Sequence, residues 1–373
     1  MSRSPPSRQP VIRAIGTAVP QRSLSSARSL DVARALTPEE VPLSLLRRLH
    51  ERSGIDGRGC AVLADDGSVP IYGVHATDVA VATVPGTADR MHAYMAAAEI
   101  MAIRASGHAL ADAQVAPSRI THLVTASCTG FASPGVDQAI MSSLGLSPSV
   151  RRTHIGFMGC HAAVNALAVA SAFAASDRDS CVLLACAEVC TVHFQASARV
   201  DRVVANTLFA DGAAAAVVSA QEDDDGGVQG LVECPVLTRC ASTVIPDSTG
   251  SMAWHIGDHG FEMTLGADVP DRIAAALPSW VDRELASLGM DRRDVGGWAI
   301  HPGGPRVIDA VIAALGLGPS AGDASRAVLR RHGNMSSATL LFIMDAMRRA
   351  AIPRPWVGLA FGPGLAGEMV ILT

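Results

Sequence analysis

Two segments of the chain share one pattern, in which a Gly-containing loop runs into an apolar strand. The first is LFADGAAAAVVSA at residues 208–220, and the second is FGPGLAGEMVILT at residues 361–373. Each half of the chain also has an apolar strand that runs into a loop, at residues 120–130 and 296–304. Apolar runs that alternate with helical patterns are typical of parallel strands buried between helices. The pattern therefore predicts an α/β protein made of two related halves.

An acidic, Gly-rich stretch, QEDDDGG at residues 221–227, separates these halves and predicts a junction at about residue 225. We expect a flexible tail at residues 1–11, an N-terminal half at residues 12–222 and a C-terminal half at residues 228–373. Helical patterns cover five segments, at residues 91–114, 134–144, 160–175, 269–288 and 335–350. A chain of 373 residues, 49% of them hydrophobic, can bury a large core among these elements.

The composition excludes several classes of function. The formal net charge is −5, without a basic run, and only 4% of the residues are aromatic, so nucleic acid is not an expected partner. All 30 basic residues are arginine, which excludes a lysine Schiff base and the lysine of a phosphate-binding loop. The apolar stretch at residues 162–175 is too short to span a bilayer, and Asn165 and Ser171 interrupt it. The N-terminus has no apolar signal-peptide core, so we expect a cytoplasmic protein without disulfides.

Two motifs resemble ligand sites but do not fit their context. GPGLAG at residues 362–367 matches the dinucleotide-binding fingerprint, yet a strand pattern rather than a helix follows it. His255 and His259 have the spacing of metal ligands on a helix, but two glycines interrupt any helix in this segment. We therefore expect neither a dinucleotide cofactor nor a metal site.

Cys160 lies where an apolar segment ends and a helical pattern begins, in HIGFMGCHAAVNAL at residues 154–167. Gly159 and the alanines that follow Cys160 allow a sharp turn and leave room for an acyl group. The positive end of a helix dipole favours a thiolate, so we expect the pKa of Cys160 to be lowered. The local sequence leaves two interpretations open, a nucleophile and a buried core thiol.

A cysteine nucleophile needs partners from other parts of the chain. His301 ends the apolar segment WAI and opens HPGGP, where glycines and prolines leave an imidazole uncrowded. Asn334 follows Gly333 in RHGNMSSAT and precedes a predicted helix. Each residue also has a structural interpretation, His301 as a packed histidine and Asn334 as a helix cap.

Five segments occur in the order in which similar segments occur in type III polyketide synthases, the chalcone synthase-like enzymes: GFMGCHAA, LFADGAAAAVV, HPGGP, GNMSSAT and LAFGPGLAGE. IGTAVP at residues 15–20 and SCTGFASPGVD at residues 127–137 also resemble family segments, so the resemblance runs from residue 12 to the C-terminus. It implies a thiolase fold, in which two duplicated αβαβα halves form five layers. It also implies a homodimer.

The resemblance implies that Cys160 accepts the acyl group and that His301 and Asn334 complete a catalytic triad. His301 as an imidazolium would keep the Cys160 thiolate ionised. Decarboxylation of malonyl-CoA would supply the carbanion, and the His301 and Asn334 side chains would donate hydrogen bonds to the enolate oxygen. The implied substrates are malonyl-CoA and an acyl-CoA starter, with no metal or redox cofactor.

The resemblance also assigns residues of the substrate site. Phe209 matches the gatekeeper phenylalanine between the CoA tunnel and the cavity, with a core aromatic as the alternative. Arg52 and Arg58 fall where the family has basic residues for CoA phosphates, with ordinary surface arginines as the alternative. The remaining cavity positions are Met263, Trp254, His193, Cys128, Thr129, Ser133 and Ser336. The loop of Gly362, Pro363 and Gly364 is expected to bring a backbone N–H close to the acyl carbonyl as a second oxyanion donor.

Several cavity residues depart from the plant enzymes. Met263 replaces a second gatekeeper phenylalanine, Trp254 replaces a small glycine, and His193 replaces a small polar residue. Cys128 stands where the plant enzymes have threonine and bacterial tetrahydroxynaphthalene synthases have cysteine. Because tryptophan fills far more volume than glycine, we do not expect a plant-type cavity. The departures favour an aliphatic starter and an alkylpyrone or alkylresorcinol product, with malonyl-only tetrahydroxynaphthalene chemistry as the alternative.

Three other functions remain open on the sequence. A ketoacyl-acyl-carrier-protein synthase III would perform a single condensation, and a cysteine hydrolase would release CoA from thioesters without releasing CO2. A non-catalytic thiolase-fold subunit would keep the fold without turnover, although the Cys, His and Asn set argues against it. His161 is adjacent to Cys160, yet we expect it to point away from the thiol and to pack or hydrogen bond elsewhere.

Overall fold

The structure is a computed structural model that describes residues 9–75, 83–221 and 234–373. The strands of these residues are β1 (Pro10–Ala18), β2 (Ser23–Ser25), β3 (Gly57–Gly59), β4 (His122–Ser127), β5 (Arg151–Gly156), β6 (Cys181–Val189), β7 (Asp211–Ala220), β8 (Leu237–Val244), β9 (Met252–Gly257), β10 (Gly260–Leu265), β11 (Gly297–Ile300), β12 (Trp356–Gly362) and β13 (Ala366–Leu372). The α-helices are α1 (Ser26–Leu36), α2 (Leu43–Ser53), α3 (Thr87–Asp112), α4 (Val136–Leu144), α5 (Ala162–Ser176), α6 (Val200–Leu208), α7 (Val269–Ala286), α8 (Pro305–Leu315), α9 (Asp323–His332) and α10 (Ala338–Arg349).

Two main sheets, one from each half of the chain, organise the described residues. The first has the order β1-β7-β6-β4-β5, with β4 parallel to both of its neighbours. The second has the order β11-β12-β13-β8, with β11 parallel to β12. Strands β9 and β10 form a separate antiparallel hairpin, and β2 pairs with β3. The parallel strands β5 and β11 end in the loops that carry Cys160 and His301.

Alternate residues of each main sheet pack on opposite faces, and this alternation builds five layers. In β12, Ala360 faces the central core with α5 and α10, whereas Leu359 faces the outer helices α7 and α8. In β6, Leu184 faces the central core, whereas Leu183 packs toward α3 on the other side. The order of layers is α3 with α4, first sheet, α5 with α10, second sheet, and α7 with α8. The predicted five-layered thiolase fold of two αβαβα halves is confirmed.

Small side chains allow the central layer to lie close to both sheets. Helix α5 is rich in alanine, and β7 presents alanine to α5 on one face and to α3 on the other. The segment Gly159–Ser176 is long and apolar enough to cross a membrane by composition. Its position between the two sheets accounts for its apolar character, because both sides of α5 meet core residues.

The expected boundaries of the two halves are partly outside the described residues. Outside the described residues are the acidic junction near residue 225, the limits 222 and 228, and residues 1–8 of the expected tail. The tail was expected to extend to residue 11, but β1 already begins at Pro10 and buries Val11. Pairing of this strand with β7 orders the chain two residues earlier than the apolar pattern indicated.

Candidate active site

Cys160 lies in a tight turn between β5 and α5. Phe157 and Gly159 both have positive φ, at 62° and 77°, and a short 3₁₀ turn, Gly159–His161, leads into the helix. A Cβ atom on Gly159 would lie 2.4 Å from Cδ of Pro363, so only glycine allows these two loops to approach so closely. The expected strand-to-helix turn is therefore present, and Pro363 lies directly against it.

Asn334 reaches the same site from the loop between α9 and α10. Its backbone N–H donates to the Leu208 carbonyl at 2.9 Å, and its carbonyl accepts from Ala210 N–H at 2.9 Å, so it forms a parallel bridge with Phe209. The Asn334 Oδ1 atom accepts the Ser336 N–H at 2.9 Å. Because Oδ1 is bonded in this way, the Nδ2–H group remains as the donor to the Cys160 sulfur. This hydrogen bond favours the thiolate and acts to lower the thiol pKa.

His301 follows the last residue of β11 and is buried. Its backbone N–H donates to the Leu359 carbonyl at 2.8 Å, which attaches it to the end of the neighbouring strand β12. Neither ring nitrogen of His301 has a hydrogen-bond partner among the described residues. Burial, together with a smaller contribution from the charge of nearby His161, lowers the pKa of His301 to about 3. His301 is therefore a neutral imidazole in this structure, and the expected imidazolium is not supported.

The Cys160 thiol is also neutral in this structure. Burial raises its pKa to about 12, and the negative charge of Glu188 acts in the same direction. Hydrogen bonds from Ser336, at 3.6 Å between Oγ and Sγ, and from Asn334 partly oppose this rise. The expectation of a lowered pKa is therefore wrong, because desolvation of the buried sulfur outweighs the start of the helix and both donors.

A buried carboxylate supports the residues around the thiol. Glu188 at the end of β6 accepts Thr129 Oγ1–H at 2.6 Å and the Cys128 thiol at 3.3 Å. Cys128 Sγ in turn contacts Ser336 Oγ at 3.0 Å, which continues the hydrogen-bond chain to Cys160. Glu188 was not predicted from the sequence as a site residue, although a charged residue in an apolar strand was a signal for such a role.

A cavity opens beside Cys160, and most of the residues expected for it line its wall. Helix α6 provides Arg202, Ala205 and Asn206 to one side of the wall. Their spacing of three and four residues places them on one helix face, which was the sequence signal for these unpredicted lining residues. The expected residues on the wall are Cys128, Thr129, His193, Phe209, Trp254, Met263, Ser336 and Pro363. The lining residues that were not expected include Cys190, Phe194, Gln195, Arg202, Ala205, Asn206, Met252 and Phe261.

Comparison with known proteins identifies the family. The model of the chalcone and stilbene synthase N-terminal domain matches residues 6–222, and that of the C-terminal domain matches residues 236–373. The chain belongs to the chalcone and stilbene synthase family. It is a type III polyketide synthase, and hence an enzyme of the acyltransferase kind, as the motifs predicted.

Relatives of this type III polyketide synthase include one from Mycobacterium tuberculosis, named alpha-pyrone synthesis polyketide synthase-like Pks18. The two are 31% identical over 369 residues, which cover 98% of this chain and 91% of the relative. Among solved structures, PKS-I from the brown alga Ectocarpus siliculosus has a TM-score of 0.88 at 25% identity, with 99% of each chain covered. The C-terminal type III polyketide synthase domain of Steely1 from Dictyostelium has a TM-score of 0.86 at 26% identity, with 98% of this chain and 99% of that chain covered.

An aromatic cluster forms the cavity wall of this polyketide synthase. His193 Nδ1 accepts the Phe261 N–H at 3.0 Å, and its Nε2–H donates to the Thr129 carbonyl at 2.7 Å. The His193 ring stacks on Phe261 at 4.2 Å, and burial lowers its pKa to about 3. Trp254 meets both rings edge-on and donates its indole N–H to the Cys128 carbonyl at 2.8 Å. The wall is therefore held in one arrangement by hydrogen bonds.

Two residues assigned to the substrate site lie elsewhere in the polyketide synthase. Arg58 is 2% exposed, donates to the Phe209 carbonyl at 2.6 Å and to Ser29 Oγ at 2.5 Å, and stacks over Phe194. A guanidinium committed to these buried partners cannot bind a CoA phosphate, so this assignment is wrong. Ser133 is exposed and does not line the cavity of the single chain, which corrects the second assignment. Arg52 is exposed at the end of α2.

The Gly-rich loop at residues 362–364 packs against the nucleophile turn but offers fewer donors than expected. Pro363 has no N–H group, and the N–H of Gly364 donates to the Met252 carbonyl at 3.2 Å, so neither is a spare donor for an acyl carbonyl. Gly362 lies against His161, where an added Cβ would come within 2.5 Å of the ring. His161 Nδ1 bonds Asn165 Oδ1 at 2.8 Å, in agreement with the expectation that His161 points away from the thiol.

Proposed function

We propose that this polyketide synthase loads an acyl-CoA starter on Cys160 and extends it by repeated decarboxylative condensation with malonyl-CoA. The observation that carries the proposal is the approach of the Asn334 amide to the Cys160 thiol beside a buried cavity. An aliphatic starter and release as an alkylpyrone or alkylresorcinol are the proposed specificity. The Mycobacterium tuberculosis relative is named for alpha-pyrone synthesis, which supports the pyrone.

The loading step moves one proton and exchanges one thioester for another. The neutral imidazole of His301 has a free lone pair, so it can accept the proton from the Cys160 thiol as the thioester approaches. The sulfur forms a bond to the acyl carbon, and the bond from that carbon to the CoA sulfur breaks. The CoA thiolate takes the proton from His301 and leaves as a thiol, which returns His301 to its neutral form. Burial disfavours the charged pair, so this pair exists only during the transfer.

The extension step uses the same residues in a second role. The bond between the malonyl carboxylate and the neighbouring carbon breaks, CO2 leaves, and the electron pair forms a thioester enolate. The Asn334 Nδ2–H group and an N–H group of His301 donate to the enolate oxygen, in a site that burial keeps dry. The enolate carbon forms a bond to the acyl carbon, the bond from that carbon to the Cys160 sulfur breaks, and the sulfur leaves as a thiolate. Because decarboxylation supplies the carbanion, we propose no metal or redox cofactor.

The CoA part of each substrate needs a cationic contact outside the cavity. We propose Arg52 for this role, because its exposed position leaves the guanidinium available to a phosphate. A cytoplasmic location, where CoA thioesters are made and used, is also part of the proposal. Fractionation of cells that express the tagged enzyme would test that location.

The central experiment removes the thiol. Cys160→Ala should abolish acyl loading, observed as an increase in intact mass, and should abolish all product formation. Cys181→Ala is the matched control, because this buried thiol lies in the outer core at β6 and does not line the cavity. Acyl loading in Cys160→Ala at the wild-type level would contradict the proposal.

Two further variants separate loading from extension. His301→Ala and Asn334→Ala should each retain some acylation but lose the release of CO2 from malonyl-CoA. Unimpaired CO2 release would remove both residues from the proposed mechanism. Product length tests the alternatives, since a single condensation supports a ketoacyl-acyl-carrier-protein synthase III and CoA release without CO2 supports a hydrolase. Aromatic products from malonyl-CoA alone would support tetrahydroxynaphthalene-type chemistry.

A further inference from the structure

The polar side chains of the cavity wall are almost all bonded to other parts of the protein. Thr129, His193 and Trp254 direct their donors to Glu188 or to backbone carbonyls. Asn206 Nδ2 donates to the Gln195 carbonyl at 2.8 Å, and Gln195 Nε2 donates to backbone carbonyls of the β9–β10 hairpin. A ligand in the cavity therefore finds few free donors away from Cys160.

Arg202 is the exception among the described lining residues. Its guanidinium has five N–H groups, and one of them, on Nη2, donates to Glu262 Oε2 at 2.5 Å. The buried Nε–H has no partner among the described residues. Buried donors without an acceptor are rare because each costs free energy, so an unsatisfied donor in a cavity wall is available to an acceptor that a ligand brings.

Arg202 shares its part of the cavity wall with Ala205, Phe209 and Met263. Arg202 lies on α6 on the same face as Ala205, and Phe209 follows one turn later. Its ion-pair partner Glu262 precedes Met263, which also lines the cavity. Glu262 already balances the charge of Arg202, so a neutral oxygen acceptor fits the remaining donors better than a second carboxylate does.

We propose that Arg202 binds a keto oxygen of the growing poly-β-keto chain and thereby delays ring closure. This inference rests on the proposed function, in which every extension adds one carbonyl to the chain on Cys160. Each carbonyl loses water when it enters the mostly apolar cavity and needs a donor in exchange. A distal carbonyl held by Arg202 cannot turn back to attack the thioester, so extension continues before the lactone closes.

The test measures product length. Arg202→Met keeps an unbranched side chain that reaches as far as the Nε position and removes all donors, and Glu262→Gln breaks the ion pair while leaving the Arg202 donors in position. Each enzyme receives hexanoyl-CoA and malonyl-CoA, and mass spectrometry measures the ratio of the longest product to the next shorter one. We expect this ratio to fall about tenfold in Arg202→Met and to remain near the wild-type value in Glu262→Gln.

Three outcomes separate the possible failures. An unchanged ratio in Arg202→Met would overturn the inference while the proposed function stands. An equal fall in both variants would also overturn it, because the ion pair between α6 and β10 would then be the cause. A wild-type enzyme that extends no starter at all would contradict the proposed function itself. Thermal unfolding of both variants shows whether either substitution acts through loss of the fold.

Discussion

Trp254 contributes a large ring to the wall of the cavity beside Cys160. Its ring lies edge-on to His193 and Phe261, and its indole N–H is bonded to the Cys128 carbonyl beside the candidate nucleophile. The side chain therefore occupies space that an acyl chain would otherwise use, in a position fixed by one hydrogen bond. We therefore expect Trp254 to limit the length of the acyl starter.

We expect Trp254→Ala to shift the starter preference toward longer acyl chains. The substitution removes the indole from the wall, and the freed volume can accept additional methylene groups that are favourably buried. Competition between acyl-CoA starters of increasing length, followed by mass spectrometry, measures the shift. Trp254→Phe is the matched control, since it keeps a large ring and loses only the N–H, and its starter profile should resemble that of the wild type. Equal starter profiles for Trp254→Ala and the wild type would exclude Trp254 as the residue that limits starter length.

His193 makes stability depend on pH because it is buried in its neutral form. Its pKa is about 3 in the folded state and about 6.5 in the unfolded state, so the unfolded chain binds more protons between these values. The free energy of unfolding must therefore fall as the pH decreases below 6.5. One such histidine contributes a slope of at most about 1.4 kcal/mol per pH unit.

His193→Gln should reduce this slope, because an amide does not titrate and can still meet the Phe261 N–H. Urea unfolding at a series of pH values from 5 to 8 measures the free energy in both proteins. The two curves should run parallel above pH 7.5, where neither state protonates the imidazole, and should diverge in slope below pH 6. Parallel curves over the whole pH range would show that His193 is not the source of the pH dependence of stability.

The turn between β5 and α5 depends on the contact of two loops. Gly159 has a φ of 77°, and Pro363 fills the space that a side chain at this position would need. Gly145 at the end of α4 has a similar φ of 68°, but nothing lies within 4 Å of the Cβ position there. Comparing substitutions at these two glycines therefore distinguishes the effect of backbone strain from that of a steric clash.

Gly159→Ala should lose activity and stability, whereas Gly145→Ala should lose only stability. Both substitutions introduce left-handed strain of about 1–2 kcal/mol, but only the first displaces Pro363 or the nucleophile turn. Acylation rates and thermal unfolding of the two variants measure these effects. We expect the acylation rate of Gly159→Ala to fall at least about tenfold, as a displacement of about 1 Å at a reacting group can cost more than that. Equal acylation rates in both variants would contradict this interpretation.

Periodic apolar segments could be predicted as elements because their burial repeats along the chain. The helices expected at 134–144 and 269–288 are present as α4 and α7 with shifted ends. The pKa values could not be predicted in the same way, since they depend on residues distant in the chain. Cys160 sits at a helix start, as expected, but desolvation decides its charge. Arg58 lies in a stretch rich in polar residues, and only its contact with the Phe194 ring and its hydrogen bond to the Phe209 carbonyl reveal its burial.

At the scale of the whole molecule, the first sheet has an open edge among the described residues. The first sheet ends at β5, which pairs with β4 on one side only, and the exposed residues Phe131 and Met158 lie in the loops next to β4 and β5. An unpaired edge next to exposed apolar residues is a ready surface for a second strand. This edge supports the proposed homodimer, in which two β5 strands meet.

A homodimer should have twice the mass of the 38.5 kDa chain in solution. Light scattering after size-exclusion chromatography measures this mass over a range of concentrations. Met158→Asp introduces a charge beside the β5 edge and should shift the equilibrium toward the monomer. Ile256→Asp is the matched control, because Ile256 is equally apolar and 59% exposed but lies on the β9–β10 hairpin. A wild-type monomer at all concentrations would contradict the proposed assembly.

The backbone bridge between Phe209 and Asn334 limits how the enzyme can diversify. The two residues lie in different halves of the chain, and the bonds of Asn334 to Leu208 and Ala210 hold their segments in register. A shift of the Phe209 segment that admits a larger substrate would carry the Asn334 backbone with it. We therefore expect substrate range and chemical rate to be linked traits in this protein. New specificities are more accessible through side-chain replacements at Trp254 or Met263 than through insertions or deletions near Phe209.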